Sequence, residues 1–179
     1  VSLLGMDLQN VTNSTILGNS PPESPFGTLE AAVSYQWIQK APMPTRRYSM
    51  ATGVISGKIY VAGGDTSGTG ASNLKTLEVY DPLTNTWETK ANMSCARRRA
   101  AGAVVNGTFY VIGGEVLGGG GCAGNSTEAY NPVTDTWTNK TNMTTARYFA
   151  RAAAINDTIY VIGGVSSGYQ QGEENAGGR

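Results

Sequence analysis

The chain has 179 residues, 40% hydrophobic and 15% charged, and thirteen basic side chains balance thirteen acidic ones. That balance argues against a general nucleic-acid or anionic-membrane binder, and no apolar run is long enough to cross a bilayer. Histidine is absent, which removes Ser-His and Cys-His nucleophile pairs, imidazole bases and His-rich metal sites, and Cys95 and Cys122 alone cannot make a four-thiolate zinc site.

Taken in chain order, residues 1–26 carry Pro21-Pro22-Glu23-Ser24-Pro25 and no repeat. They read as an N-terminal extension or the end of a preceding element, with short strands at Val1-Ser2-Leu3-Leu4 and Thr15-Ile16-Leu17. The chain starts without Met, which points to processing or truncation.

From Trp37 onward a fifty-residue period takes over. Trp37, Trp87 and Trp137 obey it, as do Met43, Met93 and Met143, then Arg47, Arg97 and Arg147. Tyr60-Val61-Ala62-Gly63-Gly64 recurs as Tyr110-Val111-Ile112-Gly113-Gly114 and Tyr160-Val161-Ile162-Gly163-Gly164. Each unit predicts four short strands. A small-residue strand (49–55, 100–105, 150–155) meets a two-residue turn at Ser56-Gly57, Asn106-Gly107 or Asn156-Asp157, and both turn positions of such a hairpin favour positive φ. A β-branched and aromatic strand such as 108–112 follows and stops at Gly-Gly. Leu77-Glu78-Val79-Tyr80 is a third strand, Asp81-Pro82-Leu83-Thr84 a turn in which Pro blocks further pairing, and Thr86-Trp87-Glu88 the fourth strand.

The ends are incomplete. Residues 27–40 predict a third and fourth strand with a shortened turn, Thr28-Leu29-Glu30 mirroring Thr76-Leu77-Glu78. Residues 147–164 carry only a first and second strand, and residues 165–179 read as a polar loop or tail. The count is two, four, four and two strands.

Four antiparallel strands in fifty residues, with the Gly-Gly doublet and the later Tyr and Trp, resemble the kelch repeat over residues 37–164. The resemblance implies an all-β, kelch-type β-propeller with the small-residue strand of each blade innermost, here as an incomplete ring. Its parts are an outer half-blade at 27–40, blades at 47–90 and 97–140, and an inner half-blade at 147–164, all within 27–164. The shared Gly, Tyr, Trp and Met are expected to be structural. Three blades cannot enclose an axis, so a longer chain, a protein partner or further copies of this chain must complete the ring.

Eight Asn-x-Ser/Thr sequons, at Asn10, Asn13, Asn92, Asn106, Asn125, Asn139, Asn142 and Asn156, fall almost wholly in predicted turns and loops. They point to a secretory route and an extracellular or cell-surface glycoprotein. By the kelch likeness, Cys95 and Cys122 lie on loops of one blade face, where a disulfide or two unrelated thiols remain open. The same face gathers Arg47, Arg97, Arg98, Arg99 and Arg147 against Asp65 and Glu115, with Arg151 on an inner strand and directed at the central channel. Guanidinium groups suit an acidic peptide or an acidic glycan, although one Arg per repeat can also serve a local pair. The function expected is a non-catalytic protein-interaction or structural assembly module with no cofactor. The alternatives are the substrate-recognition domain of a ubiquitin-ligase adaptor and, more remotely, part of a kelch-containing oxidase, whose histidine ligands this chain lacks, or a sugar-acid mutarotase.

Overall fold

The structure is a computed structural model that describes residues 3–10, 33–67, 72–116 and 123–166. Twelve strands run through them in four antiparallel sheets. The chain divides into two compact units, residues 2–42 and the residues from Met43 onward.

The first unit is a two-stranded sheet, β1 (Leu3–Asn10) against β2 (Val33–Lys40), with Met6 opposite Trp37 and Leu3 opposite Lys40. The sequence assigned the third-strand role to Thr28-Leu29-Glu30. The observed partner of the Trp37 strand is instead Leu3–Asn10, and residues 28–30 lie outside the described residues.

The second unit holds two four-stranded blades and a half-blade. In the first blade β3 (Ala51–Ile55), β4 (Lys58–Ala62), β5 (Leu77–Asp81) and β6 (Thr86–Lys90) pair in order. The second repeats this with β7 (Ala101–Val105), β8 (Thr108–Ile112), β9 (Thr127–Asn131) and β10 (Thr136–Lys140). β11 (Arg151–Ile155) and β12 (Thr158–Ile162) form the half-blade, and among the described residues β12 pairs with β11 alone. The innermost strands stand side by side, β3 packing on β7 and β7 on β11.

Local chemistry explains each element. Ser56 and Gly57 have φ of 49° and 76°, and Asn106 and Gly107 have 49° and 70°, so both inner hairpins turn through two left-handed residues. In the third repeat Asn156 alone is left-handed, at 52°, because Asp157 tolerates that region less readily than Gly. The β5–β6 and β9–β10 turns are tied by Tyr80 and Tyr130, whose hydroxyls donate to Asn85 and Asp135 at 2.7 Å.

The core lies between the complete blades. Tyr60 of β4 meets Phe109 of β8 and Tyr130 of β9 at ring separations of 6.2 and 6.0 Å, and Trp137 closes over Tyr130 at 5.2 Å. Each such pair stabilises by about 0.5–1.5 kcal/mol beyond its buried area. Small residues let the inner strands approach. A Cβ on Gly102 would stand 2.4 Å from the Thr52 carbonyl oxygen, and one on Gly53 would strike the Phe109 ring at 2.7 Å.

Candidate functional site

The arginine repeated in every unit belongs to the fold. Arg97 donates through Nη1 to the carbonyls of Gly113 and Ser126 at 2.9 and 3.0 Å, and through Nη2 to Glu128 Oε1 at 2.8 Å. Arg47 does the same with Gly63 at 2.9 Å and Thr76 at 3.2 Å, its Nη2 lying 3.0 Å from Glu78 Oε2. Each guanidinium thus clips the loop after the second strand to the third strand of its own blade. Both side chains are fully buried; burial lowers their pKa and the carboxylate opposite raises it. Of the two roles read for Arg47 and Arg97, the buried geometry favours the local pair: neither guanidinium reaches the surface. Arg147 repeats only the contact to the Gly163 carbonyl, at 2.8 Å, and stays half-buried.

Glu78 and Glu128, the counter-charges, were not singled out in the sequence. Their signal was an acid 31 residues after each Arg, present at 47/78 and 97/128.

Where the second unit departs from the period, a charged cluster forms across the blade boundary. Arg98 stands where Tyr48 and Tyr148 stand in the flanking repeats. Its Nη1 bonds Asp65 Oδ2 of the first blade at 2.9 Å, and its Nε and Nη2 hold Glu115 through both oxygens at 3.1 and 3.0 Å. Asp65 also receives the Tyr48 hydroxyl at 3.1 Å and the Ser67 amide at 2.8 Å. Asp65 is wholly buried and Arg98 nearly so. The polar atoms of these two face one another and not solvent. Glu115 is half-buried; its pKa is held down by the hydrogen bond from Arg98, with the Arg99 charge adding to it.

Arg99 is different. Ser49, Arg99 and Phe149 occupy one position of the repeat with φ of 56°, 59° and 60°. The geometry turns each backbone into a bond between blades: the Arg99 amide donates to Ser49 at 2.7 Å and the Phe149 amide to Arg99 at 2.9 Å. The Arg99 side chain donates to Glu115 at 2.6 Å and stacks 4.4 Å above the Phe149 ring, a cation–π contact that fixes the guanidinium plane. Together with Ser49, Met50, Ala100, Phe149 and Arg151 it lines a cavity of 300 Å³. A second cavity of 380 Å³ runs past the first residues of the three inner strands, again with Arg151 in its wall.

Arg151 takes the place of Ala51 and Ala101, both buried. It is exposed and makes no ion pair among the described residues. Arg99 and Arg151 are the candidate residues the structure brings together with a space between them. Phe149 went unnoticed in the sequence because a lone aromatic there carries no motif.

Among the sequons, Asn92, Asn106, Asn139, Asn142 and Asn156 are exposed. Asn125 is half-buried, and its Nδ2 donates to the Met143 carbonyl at 2.9 Å. Asn10 ends β1, and Asn13 lies outside the described residues. Cys95 is buried at the start of the second blade, and Cys122 lies outside the described residues. Among the described residues no cluster of acidic or Cys side chains could hold a metal ion, and no helix is long and apolar enough to span a membrane.

Comparison with known proteins fits this architecture. No curated protein matches the sequence. Among solved structures, "Structure of YjhT" superposes with a TM-score of 0.62 at 18% identity over 72% of this chain. The chain covers 47% of that protein, about half its length. The profile of the KLHDC2/KLHL20/DRC7 Kelch-repeats domain matches residues 28–164. With four-stranded antiparallel blades, Gly-Gly doublets met by the next blade's backbone and a sequence match over most of its length, this chain belongs to the kelch-repeat family.

Proposed function

We propose that the chain is a non-catalytic protein-interaction module of a secreted or cell-surface glycoprotein, and that it takes a carboxylate-bearing ligand at the mouth between Arg99 and Arg151. The observation that carries the reading is the cavity lined by Ser49, Phe149 and these two guanidinium groups. Arg99 is pre-oriented by Glu115 and the Phe149 ring. Arg151 has its donors available, and a fixed guanidinium beside an available one suits bidentate capture of a carboxylate. An acidic peptide and an acidic sugar share that chemistry.

Calorimetric titration with a hexaglutamate peptide and, separately, with glucuronate distinguishes the two sources. Binding by one of them that is lost in Arg151→Ala and weakened at least tenfold in Arg99→Ala supports the site. No heat from either ligand at millimolar concentration, or binding indifferent to both substitutions, refutes it.

The secretory part of the proposal rests on five exposed sequon asparagines in turns and strand ends, where a glycan stays hydrated. Intact mass of protein from a eukaryotic secretory host should show hexose-sized increments at Asn92, Asn106, Asn139, Asn142 or Asn156. Asn125 should remain bare, because it is half-buried and its amide is held by the Met143 carbonyl, whereas the bond from the Asn106 amide to Asp157 is exposed to solvent. A Cys95–Cys122 disulfide belongs to the same proposal, and thiol counting before and after reduction tests it. An unmodified protein with two reactive thiols would favour the intracellular adaptor reading instead.

A further inference from the structure

The second unit sets one acid against two consecutive arginines, and its sister units do not. Positions 48, 98 and 148 carry Tyr, Arg and Tyr, positions 49, 99 and 149 carry Ser, Arg and Phe, and positions 65, 115 and 165 carry Asp, Glu and Val. Asp65 meets the hydroxyl of Tyr48 in its own blade. Glu115 is longer by one methylene and spans two guanidinium groups. Its Oε2 accepts from Arg99 Nη1 at 2.6 Å and from Arg98 Nε at 3.1 Å, and its Oε1 accepts from Arg98 Nη2 at 3.0 Å.

Glu115 is fixed in that position. Its amide donates to the Arg98 carbonyl at 2.8 Å, and its own carbonyl accepts from the Arg98 amide at 3.1 Å and from Asn73 Nδ2 at 3.2 Å. These backbone bonds add to the three at the carboxylate, so the side chain has no freedom to follow a ligand. The hydrogen bond from Arg98 holds its pKa down, with the Arg99 charge adding to it, and the group stays ionised at neutral pH. Arg99 has five N–H groups, so it keeps donors for a ligand beyond the one it gives to Glu115, but its charge is already offset.

Pairing then sets the charge of the mouth. Along the run Asp65, Arg98, Glu115 and Arg99, two carboxylates offset two guanidinium groups. Arg151 lines the same 300 Å³ cavity as Arg99 and makes no ion pair among the described residues. One positive charge is left over. We infer that Glu115 is the specificity-determining residue of this mouth and limits it to one carboxylate, so that a second carboxylate on the same ligand adds nothing. This role rests on the reading of Arg99 and Arg151 as a carboxylate site. Arg151 supplies the uncompensated charge and Arg99 the oriented donors, and a single carboxylate uses both. A second one would compete with Glu115 for Arg99, and like charges brought to short range repel. An acidic peptide is accordingly held by one of its side chains, however many acids lie beside it.

Calorimetric titration of the full chain with succinate and with its monomethyl ester tests the limit, because the two probes differ by one carboxylate. At about 0.15 M salt the unsubstituted protein should bind them within about twofold of each other, the statistical advantage of two equivalent carboxylates. Glu115→Gln keeps the size of the side chain and an acceptor oxygen but removes the charge, and should favour succinate by about fivefold or more. Arg99→Ala in that background should remove the preference, and Arg151→Ala alone should abolish binding of both probes. Circular dichroism checks the fold of Glu115→Gln; where that variant fails to fold, the comparison in the unsubstituted protein decides by itself. A preference for succinate of about fivefold or more before substitution, or none after Glu115→Gln, overturns the role of Glu115 and leaves the mouth standing as a carboxylate site. No binding of either probe to either protein at millimolar concentration overturns both.

Discussion

Removal of the Glu128 carboxylate should cost far more stability than removal of Arg147, although both belong to the same repeated feature. In the second blade Glu128 is 1% exposed beside a fully buried Arg97, at 2.8 Å. Its other oxygen accepts from the Ser94 amide and hydroxyl at 2.7 and 2.8 Å. Glu128→Ala leaves a guanidinium without a counter-charge in a dry site and strips Ser94 of its acceptor. Breaking a buried pair in this way costs about 3–5 kcal/mol, which for a chain of this size lowers Tm by roughly 6–20 °C. Arg147 is half-buried and keeps a single carbonyl bond, so Arg147→Ala should cost about 0.5–1.5 kcal/mol. Urea titration of dilute protein measures both. The double variant Arg97→Met/Glu128→Leu should recover most of the loss, because apolar replacements fill the volume without leaving a charge. A loss below about 1 kcal/mol for Glu128→Ala, or equal losses at Arg97 and Arg147, would show that the repeated Arg is not a structural clip and would return it to the list of ligand contacts.

Two further tests use the same geometry. Gly113 and Gly163 share a left-handed backbone, with φ of 66° and 70°. Alanine at either carries about 1–2 kcal/mol of conformational cost, but at Gly113 the new Cβ also meets the Arg147 carbonyl at 2.5 Å. Gly113→Ala should therefore unfold at lower urea than Gly163→Ala by a further 1–3 kcal/mol or so, and equal midpoints would refute the blade-to-blade contact. Acid should unfold the chain through Glu115 and Asp135. The pKa of Glu115 is held below its ordinary value by the Arg98 hydrogen bond, and that of Asp135 by the Ala91 amide first and the Tyr130 hydroxyl next. A depressed carboxylate contributes its full stability above the unfolded pKa, about 4, and loses it as pH falls through the folded value. Stability followed by fluorescence from pH 6 downward should fall below about pH 4, and Glu115→Gln should flatten that fall.

The blades were legible because a period of fifty residues repeats the same turn chemistry three times, and the turn residues adopt the left-handed φ that this chemistry requires at Ser56, Asn106 and Asn156. The partner of the Trp37 strand was not legible. Thr28-Leu29-Glu30 matched Thr76-Leu77-Glu78 by letter, yet strand pairing is settled by register across the sheet, and Leu3–Asn10 supplies eight paired positions from a distant stretch of chain. The roles of the arginines were legible only in part. A guanidinium in a loop looks the same whether it meets a ligand or a carbonyl, and the deciding fact for Arg47 and Arg97 was an acid on another strand. The fixed interval to Glu78 and Glu128 held that fact, but an interval is informative only once the third strand is known to run back beside the second.

Repetition also separates structure from recognition in this chain. A residue present in every unit meets the same contact in both complete blades, so that contact is sufficient reason for it; Arg47, Arg97 and the first two Gly-Gly doublets are accounted for in this way. Recognition is then sought at positions that differ, and 98, 99, 149 and 151 are among those that differ in chemistry. Departure from the period is not enough, because Arg98 departs from it and is consumed by Asp65 and Glu115. What singles out Arg99 and Arg151 is departure combined with an open wall. Replacement of Arg151 by Ala, the residue its siblings carry at 51 and 101, should leave stability within about 0.5 kcal/mol while abolishing capture of a carboxylate ligand. A stability loss of several kcal/mol from that change would instead place Arg151 among the structural arginines and leave the mouth of the channel without its second cation.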